Sequence, residues 1–128
     1  TAHQLCIPEG TPILRISRLC TADGRPAIYC EDILERALIR RDFTPDDLRR
    51  PIFSFLEEFC GVSPYLDLTD LRSAAADDAL AELLAVSAGA PLLFLDEVDY
   101  DIEGRPVFCS REYFVDGVVR HTILRKRL

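Results

Sequence analysis

The chain has 128 residues, of which 48% are hydrophobic and 29% are charged, and its net charge is −7. This length supports one domain with a substantial core but not two ordinary domains. No apolar run approaches the roughly 18 residues that a membrane-spanning helix requires, and no secretory signal pattern opens the chain. A domain this acidic does not bind a nucleic-acid backbone through its overall charge. We interpret the basic cluster within residues 120–127 as the solvated end of a last strand.

The cysteines and the lack of methionine give information about the cellular compartment and about whether the chain is part of a longer protein. Five cysteines are widely spread without a C-x-x-C pair, and neither histidine stands at metal-ligand spacing from them. We therefore expect reduced, mostly buried thiols in a cytoplasmic protein, with no metal and no cofactor. Because the sequence contains no methionine, we also expect Thr1 to follow a further domain in a longer protein.

The first part of the chain predicts a hairpin followed by short helical segments. Residues 12–20 alternate as a strand, Ala22-Asp23-Gly24 supplies a turn, and residues 26–33 form the return strand. Residues 35–42 are charged and predict a short helix or loop. Thr44-Pro45-Asp46-Asp47 begins a helix, since threonine caps it, proline fits its first turn and the acids lie at the positive end of its dipole.

The middle of the chain predicts a helix, a strand and a further helix. Residues 51–60 place apolar side chains at helical spacing, and this helix ends at Gly61. Residues 62–75 predict a long edge-like strand whose leucines mark its buried side. Asp77-Asp78 then opens a helix that continues through Leu84.

A second hairpin and a last strand complete the predicted fold. Residues 91–101 and 105–114 form the hairpin, and Asp116-Gly117 turns the chain into a strand over 118–127. We expect about six mostly antiparallel strands with two or three helices grouped on one side. The whole chain, residues 1–128, is then a single α+β domain.

The two predicted hairpins repeat one another in sequence. Residues 5–34 align with residues 84–114 at an offset of 79, which becomes 80 at the turns Gly24-Arg25-Pro26 and Gly104-Arg105-Pro106. A duplicated hairpin predicts two halves related by an approximate two-fold axis, with a pocket at the seam between them. Arg18 aligns with Glu97, so the two copies differ in charge at a matched position.

Motifs of catalysis and nucleotide binding are absent from the sequence. There is no G-x-G-x-x-G after a strand, no P-loop, no H-E-x-x-H and no G-x-S-x-G. Most carboxylates lie in short runs that are typical of solvated helix faces. We therefore expect that the chain is not an enzyme.

Several motifs recur in one order: the Gly-x-Pro strand entries, Arg18, the two G-R-P turns, the helix sequence PIFSFLEEFCG and the segment ALAELLAV. In this order and spacing the chain resembles the UTRA domain, the effector-binding module of the HutC branch of GntR-type bacterial transcription regulators. The resemblance covers residues 5–127. It implies a chorismate-lyase-like fold, a small-molecule effector and a homodimer formed through this domain. It also implies an N-terminal winged helix-turn-helix domain, through which alone the protein would contact DNA.

The positions that bind sugar phosphates in the family depart from its pattern in this chain. Arg18 matches an arginine that contacts an anionic group of the effector. The other matched positions have become apolar or weakly polar, at Cys20, Cys30, Pro51, Phe53, Phe108 and Phe114. A pocket without those donors would leave sugar hydroxyls unpaired, at about 1–3 kcal/mol each. We therefore expect a largely apolar effector with one anionic group, such as an aromatic or aliphatic carboxylate.

Strand periodicity groups most of the candidate residues on one face of the sheet. The candidate ligand-binding residues are Arg18, Cys20, Cys30, Phe53, Phe108, Ser110, Glu112 and Phe114. Tyr29, Tyr113 and Arg111 should point to the other face. Alternatives remain open: the phenylalanines can be plain core, Arg18 can pair with Glu97 or a surface acid, and the cysteines can pack or sense thiols.

Three functions fit these observations. The first is a sensing and dimerising domain whose effector changes dimer geometry and thereby the spacing of two DNA-binding domains. The second is a chorismate-lyase-like enzyme, in which Arg18 would hold a carboxylate and Glu97 or Glu112 would act as the acid. The third is a dimerisation domain without a ligand, which predicts a fully packed space between the hairpins.

Overall fold

A computed structural model describes residues 2–127 and forms one five-stranded antiparallel sheet. The strands lie in the order β1-β2-β5-β4-β3 across the sheet. Their bounds are β1 Ile13–Ala22, β2 Arg25–Glu35, β3 Leu66–Ala75, β4 Pro91–Tyr100 and β5 Pro106–Val115. The hairpin β1-β2 therefore packs edge to edge against the hairpin β5-β4, and β3 extends the second hairpin.

Short helices connect the two hairpins and pack on opposite faces of the sheet, so the prediction that the helices are grouped on one side is wrong. Single 3-10 turns occupy Arg36–Leu38 and Pro45–Arg49, and Thr44 caps the second of them as predicted. Helix α1 covers Ile52–Phe55 and continues as a wider π-helical turn, Leu56–Cys60, which ends at Gly61 in the left-handed conformation. Helix α2 covers Asp78–Leu84 and is capped by the Asp77 carboxylate, which accepts from the Leu80 amide.

The two hairpins share one register. In each hairpin the strands pair without interruption up to a single irregularity beside the turn, between Cys20 and Thr21 in the first and between Asp99 and Tyr100 in the second. Cys20 and Asp99 are matched by the offset of 79 residues. The same bulge at the same place in both hairpins confirms the duplication at the level of backbone pairing.

The pairing of β2 with β5, at the centre of the sheet, shows where the pseudo-two-fold axis between the two halves lies. Glu31 lies opposite Arg111 in this pairing, and Tyr29 lies opposite Tyr113. Glu31 and Arg111 are also matched by the offset of 80 residues. The pseudo-two-fold axis therefore passes between these two residues, at the centre of the sheet.

One face of the sheet, which we call the α2 face, is covered by helix α2 and by the N-terminal segment. Leu84 and Ala81 of α2 pack with Leu92 and Val115 at one end of this face. Leu5 packs on a second cluster with Ile33, Val98 and Cys109 at the other end. Tyr29 and Tyr113 contact the first of these clusters, so their predicted orientation away from the candidate site is confirmed.

The opposite face, which we call the α1 face, is covered by helix at one end only. Phe55, Leu56 and Phe59, from α1 and the π-helical turn, pack on Leu34 and Phe108 of the sheet. Phe55 stacks on Phe59 with ring centres 4.8 Å apart. The rest of this face is not covered by a helix.

Two sequence predictions about the strands are wrong. Residues 118–127 form no strand, so the sheet has five strands and not about six. A tight turn after β5 cannot add a strand, because β2 and β4 already occupy both of its edges. The predicted strand over 62–75 begins at Leu66, and its leucines are exposed, with Leu68 at 64%. They are exposed because β3 is an edge strand and no helix packs on it.

Candidate functional site

Strand pairing arranges the side chains of the α1 face in rows that run across the sheet. One row contains Arg18, Cys30, Glu112, Leu95 and Leu71, and the next contains Ile16, Asp32, Ser110, Glu97 and Thr69. Seven of the eight predicted site residues therefore share this face, namely Arg18, Cys20, Cys30, Phe108, Ser110, Glu112 and Phe114. The eighth, Phe53, reaches the same face from α1 and contacts Phe108.

The three candidate phenylalanines have different surroundings. Phe108 is 2% exposed and belongs to the core beneath α1. Phe53 meets it edge-on with ring centres 6.0 Å apart, but is itself 48% exposed. Phe114 lies at the other end of the face, where His121 of the C-terminal tail packs against its ring at 4.3 Å.

A cavity opens at the Phe114 end of the α1 face. Its volume is about 700 Å³, which lies in the range of small-molecule sites. Phe114 and Leu93 line it from the sheet, and residues 116–121 line it from the tail. The lining includes no residue of β1 or β2, so this cavity does not lie at the seam between the hairpins, where the sequence predicted a pocket. The row that contains Arg18 and Glu112 is the next row of the same face and contributes no side chain to the lining.

Arg18 forms an ion pair that the sequence interpretation did not include. Its Nη1 lies 3.8 Å from Oδ2 of Asp32, and Asp32 is 4% exposed. Sequence alignment of the two hairpins suggested Glu97 or a surface acid instead. Asp32 lies on the neighbouring strand, one row away, whereas Glu97 is three strands away in the order β1-β2-β5-β4. Burial raises the pKa of Asp32, and Ser110 and Arg18 partly offset the rise.

Three buried polar atoms on this face lack a hydrogen-bond partner among the atoms of residues 2–127. They are Nε and Nη2 of Arg18 and Oγ of Ser110. Ser110 lies beside Asp32 in its row, yet its hydroxyl is outside hydrogen-bond geometry. Buried polar groups are usually paired, so these atoms are available to a bound molecule.

Carboxyl groups surround the single arginine. Among the strand residues on this face that the structure describes, five are acidic, namely Asp32, Asp67, Glu97, Asp99 and Glu112. Burial, with the Glu112 carboxylate adding to the effect, raises the pKa of Glu97 to about 7. Burial also raises the pKa of Glu112, and the neighbouring Glu97 carboxyl group partly offsets that rise.

Asp99 makes the stability of the domain depend on pH. Burial and then Asp67 raise the pKa of Asp99 to about 7. The folded state thus binds more protons than the unfolded state between the ordinary carboxyl pKa and about 7, so unfolding becomes easier as pH rises through that window. We expect the free energy of unfolding to fall by about 1 kcal/mol between about pH 5 and pH 7.5, allowing for solvent screening. Urea denaturation at several pH values measures this slope.

Two variants test whether Asp99 causes this dependence of the unfolding free energy on pH. Asp99→Asn removes the titrating group without changing its size, so the slope should become shallower. Asp70→Asn alters an exposed residue of β3 on the α2 face and should keep the original slope. An Asp99→Asn protein whose slope equals that of the unchanged chain would contradict the assignment.

The two cysteines of this face, Cys20 and Cys30, differ in their surroundings. Burial and the nearby Asp32 raise the pKa of Cys30 to about 12, so its thiol stays protonated at neutral pH. Cys20 is exposed, and the five cysteines within residues 2–127 are free. No group of three or more metal-ligating side chains occurs in that part of the chain. None of its helices is long and apolar enough to cross a membrane.

Sequence reasoning missed Asp32 and Asp99 and did not pair Glu97 with Glu112. Asp32 was open to inference, because it continues the strand periodicity of Ile28 and Cys30. The carboxyl pair required the bulge position and the register of β4, which single-sequence patterns do not provide.

The fold and the site together define an α+β domain built on a duplicated hairpin, with a partly charged recess on one face of its sheet. The profile of the UTRA domain family matches residues 1–116. The chain therefore belongs to the UTRA domain family. This family membership confirms the resemblance drawn from the order of the sequence motifs, together with the chorismate-lyase-like α+β fold that it implied.

A curated relative and several solved structures are regulators of transcription. An uncharacterized HTH-type transcriptional regulator, RB1450 of Rhizobium meliloti (strain 1021), is 26% identical over 93% of this chain. The ligand-binding domain of a protein assigned to the GntR family of transcriptional regulators, from Bordetella bronchiseptica, superimposes with a TM-score of 0.85 at 26% identity. That match covers 96% of this chain and 80% of the other chain. These relatives are regulators and not enzymes by name.

More distant structures share the fold alone. The effector domain of PhnF from Mycobacterium smegmatis superimposes with a TM-score of 0.83 at 20% identity, covering 98% of this chain and 77% of that chain. The present chain spans about half of the length of its curated relative, since the match covers 49% of RB1450.

Proposed function

We propose that this domain senses a small-molecule effector for a transcription regulator of the HutC branch, which acts as a homodimer in the cytoplasm and contacts DNA through a separate N-terminal domain. The observation that carries this proposal is the cavity of about 700 Å³ at the Phe114 end of the α1 face, one row along the sheet from the row that contains Arg18. A dimerisation domain without a ligand predicts a packed space between the hairpins, whereas this cavity lies between the second hairpin, β3 and the tail. Membership of the UTRA family and the regulator relatives support the same function.

The effector that fits this recess is largely apolar and carries one anionic group. Leu93 and Phe114 supply apolar surface, and Arg18 offers Nε and Nη2 to an anion. A charge-assisted hydrogen bond to a guanidinium contributes about 1.5–3 kcal/mol, which is enough to orient a small carboxylate. The serine and cysteine side chains nearby offer little to the many hydroxyl groups of a sugar.

The mechanism we propose is a shift between two dimer geometries. The cavity is lined jointly by the sheet and by residues 116–121 of the tail, so an effector that fills it fixes the tail relative to the sheet. An effector that favours one arrangement of two copies changes the spacing of their DNA-binding domains. The exposed Leu66 and Leu68 of the edge strand β3 are candidates for the contact between copies.

A chorismate-lyase-like enzyme is the second candidate function. In that case Arg18 would bind a carboxylate and Glu97 or Glu112 would act as the acid. Glu97 has the raised pKa that a general acid needs. That raised pKa comes from burial and from the neighbouring Glu112 carboxyl group, and the regulator relatives weigh against catalysis.

A ligand screen on this chain tests the proposed function. We expect small aromatic or aliphatic carboxylates to raise Tm by several degrees, because a ligand at 100 times its Kd adds about 2.7 kcal/mol. Sugar phosphates should give no shift. Sedimentation of the same samples should show a dimer whose shape changes with the active ligand. A shift with sugar phosphates alone would contradict the effector class, and a monomer under all conditions would contradict the dimer mechanism.

A further inference from the structure

Two equivalent residue pairs on the α1 face, one in each hairpin, differ in charge. The offsets of 79 and 80 residues match Arg18 with Glu97 and Asp32 with Glu112. Arg18 and Asp32 are diagonal neighbours in the first hairpin, and Glu97 and Glu112 are diagonal neighbours in the second. The two diagonals are equivalent because the hairpins share one register and have a bulge at the same place. The first hairpin therefore holds a guanidinium against a carboxylate, 3.8 Å apart, where the second holds two carboxyl groups.

The second hairpin lacks the cation that balances the first. Glu97 and Glu112 occupy the diagonal that Arg18 and Asp32 occupy in the first hairpin, so two carboxyl groups lie close together there. Burial and the neighbouring Glu112 carboxyl group raise the pKa of Glu97 to about 7, so the pair holds a proton up to that pH. Within residues 2–127, the groups that act on this pair are Asp67 and Thr69 on β3, Asp99 on β4 and Asp32 on β2, and none of them is a cation. The charge of Asp32 is already balanced by Arg18. A cation placed between the two glutamates would take over the role of that proton.

Ser110 gives a second and independent sign of a missing partner at the same place. It lies directly opposite Asp32 on one side and Glu97 on the other. Its side chain is 98% buried, since 2% is exposed, and its Oγ has no hydrogen-bond partner within residues 2–127. Glu97 and Glu112 are half-buried and do not line the cavity beside Phe114, so a small molecule can reach them from the solvent side of the α1 face.

We propose that the effector carries a protonated nitrogen, an ammonium or a guanidinium, that binds between Glu97 and Glu112 in the place that Arg18 occupies in the first hairpin. This inference rests on the proposed function and adds a positive group to the anionic group that Arg18 would bind. Arg18 and Glu112 are two strands apart, about 10 Å between their backbones. The effector is then a short amphoteric molecule with an apolar body between its charged ends.

Matched probe pairs test the cation directly. ε-Aminocaproate is compared with heptanoate, and para-aminomethylbenzoate with para-ethylbenzoate, since each pair differs chiefly in an ammonium in place of a methyl group. Calorimetric titration near pH 7, in two buffers of different ionisation enthalpy, measures both affinity and proton release. We expect the ammonium member to bind at least about tenfold more tightly and to release part of a proton.

Two variants and a control connect that preference to the carboxyl pair. Glu97→Arg copies the first hairpin into the second, so it should raise Tm and make the ammonium member the weaker binder. Glu97→Gln should remove most of the preference and the proton release. Asp70→Asn, on the α2 face, should leave both unchanged.

The outcomes separate this inference from the proposed function. Equal affinity for the two members of each pair would contradict a cation-binding site between Glu97 and Glu112. It would still agree with a domain that senses carboxylates. If no probe binds, the proposed effector site fails for these ligands, and the stability of Glu97→Arg decides the cation site alone. A raised Tm would then support it, and a lowered Tm would overturn it.

Discussion

Replacing Arg18 with methionine is expected to destabilise the domain and to abolish its binding of carboxylates. The change leaves Asp32, which is 4% exposed, without the guanidinium 3.8 Å away. Removing one partner of a buried ion pair costs about 3–5 kcal/mol, and we expect about 2–3 kcal/mol here because Arg18 keeps some contact with solvent. The loss should grow with pH, since burial already raises the pKa of Asp32 and its charged form becomes harder to bury.

A double variant separates stability from ligand binding at Arg18. Arg18→Met with Asp32→Asn removes both charges, so the unfolding free energy should return close to that of the unchanged chain. Binding of carboxylate probes should remain at least about tenfold weaker, because the group that contacts the anion is still missing. Urea denaturation near pH 7.5 and calorimetric titration give the two values. Recovery of binding in the double variant would show that Arg18 serves only to balance Asp32.

Phe108→Ala should be the most destabilising of the changes at the candidate site. Phe108 is 2% exposed and packs beneath α1, so its truncation leaves a cavity that the sheet cannot close. We expect a loss of about 3–4 kcal/mol, or a fall in Tm of about 10 °C for a domain of this size. Thermal unfolding followed by circular dichroism measures the fall.

Phe53→Ala is the matched control, because Phe53 is the edge-on neighbour of Phe108 but is 48% exposed. Its truncation should cost less than about 1 kcal/mol. If the candidate ligand contacts this end of the face, Phe53→Ala should weaken binding while stability stays nearly constant. Equal destabilisation by the two variants would mean that α1 packs on the sheet through Phe53 as much as through Phe108.

Local chemistry made much of the fold predictable. The two G-R-P turns with their flanking apolar strands predicted both hairpins within a few residues of their bounds. Gly61 ends the π-helical turn with φ of 65°, a conformation that glycine adopts without strain, and it marked the end of the predicted helix correctly. Asp77 marked the start of α2 because its carboxylate caps that helix.

Tertiary arrangement limited the prediction elsewhere. The turn at Asp116-Gly117 predicted a strand over 118–127, but whether such a strand forms depends on whether β5 has a free edge, which is a property of strand order. The leucines of β3 are as apolar as those of β4, yet they are exposed because β3 is the last strand of the sheet. Sequence periodicity describes which side chains share a face and does not say what covers that face.

The candidate site shows the same division between local and tertiary information. Periodicity placed Arg18, Cys30, Ser110 and Glu112 on one face, and strand pairing confirms that placement. The repeat drew attention to Arg18 and Glu97 as a matched pair. Arg18 and Glu97 occupy equivalent positions on β1 and β4, which are three strands apart, so the actual partner of Arg18 had to come from the register of β1 on β2.

The position of the pseudo-two-fold axis also has a consequence for the order of folding. Within each hairpin, partner residues are close in sequence, so each hairpin can close on its own within microseconds. The pairing of β2 with β5 joins residues about 80 positions apart, as in Glu31 with Arg111. Closing so long a loop costs more chain entropy and slows folding, so the meeting of the two halves across the axis is the slow step. The central seam, where the halves pair, is therefore the last part of the sheet to form.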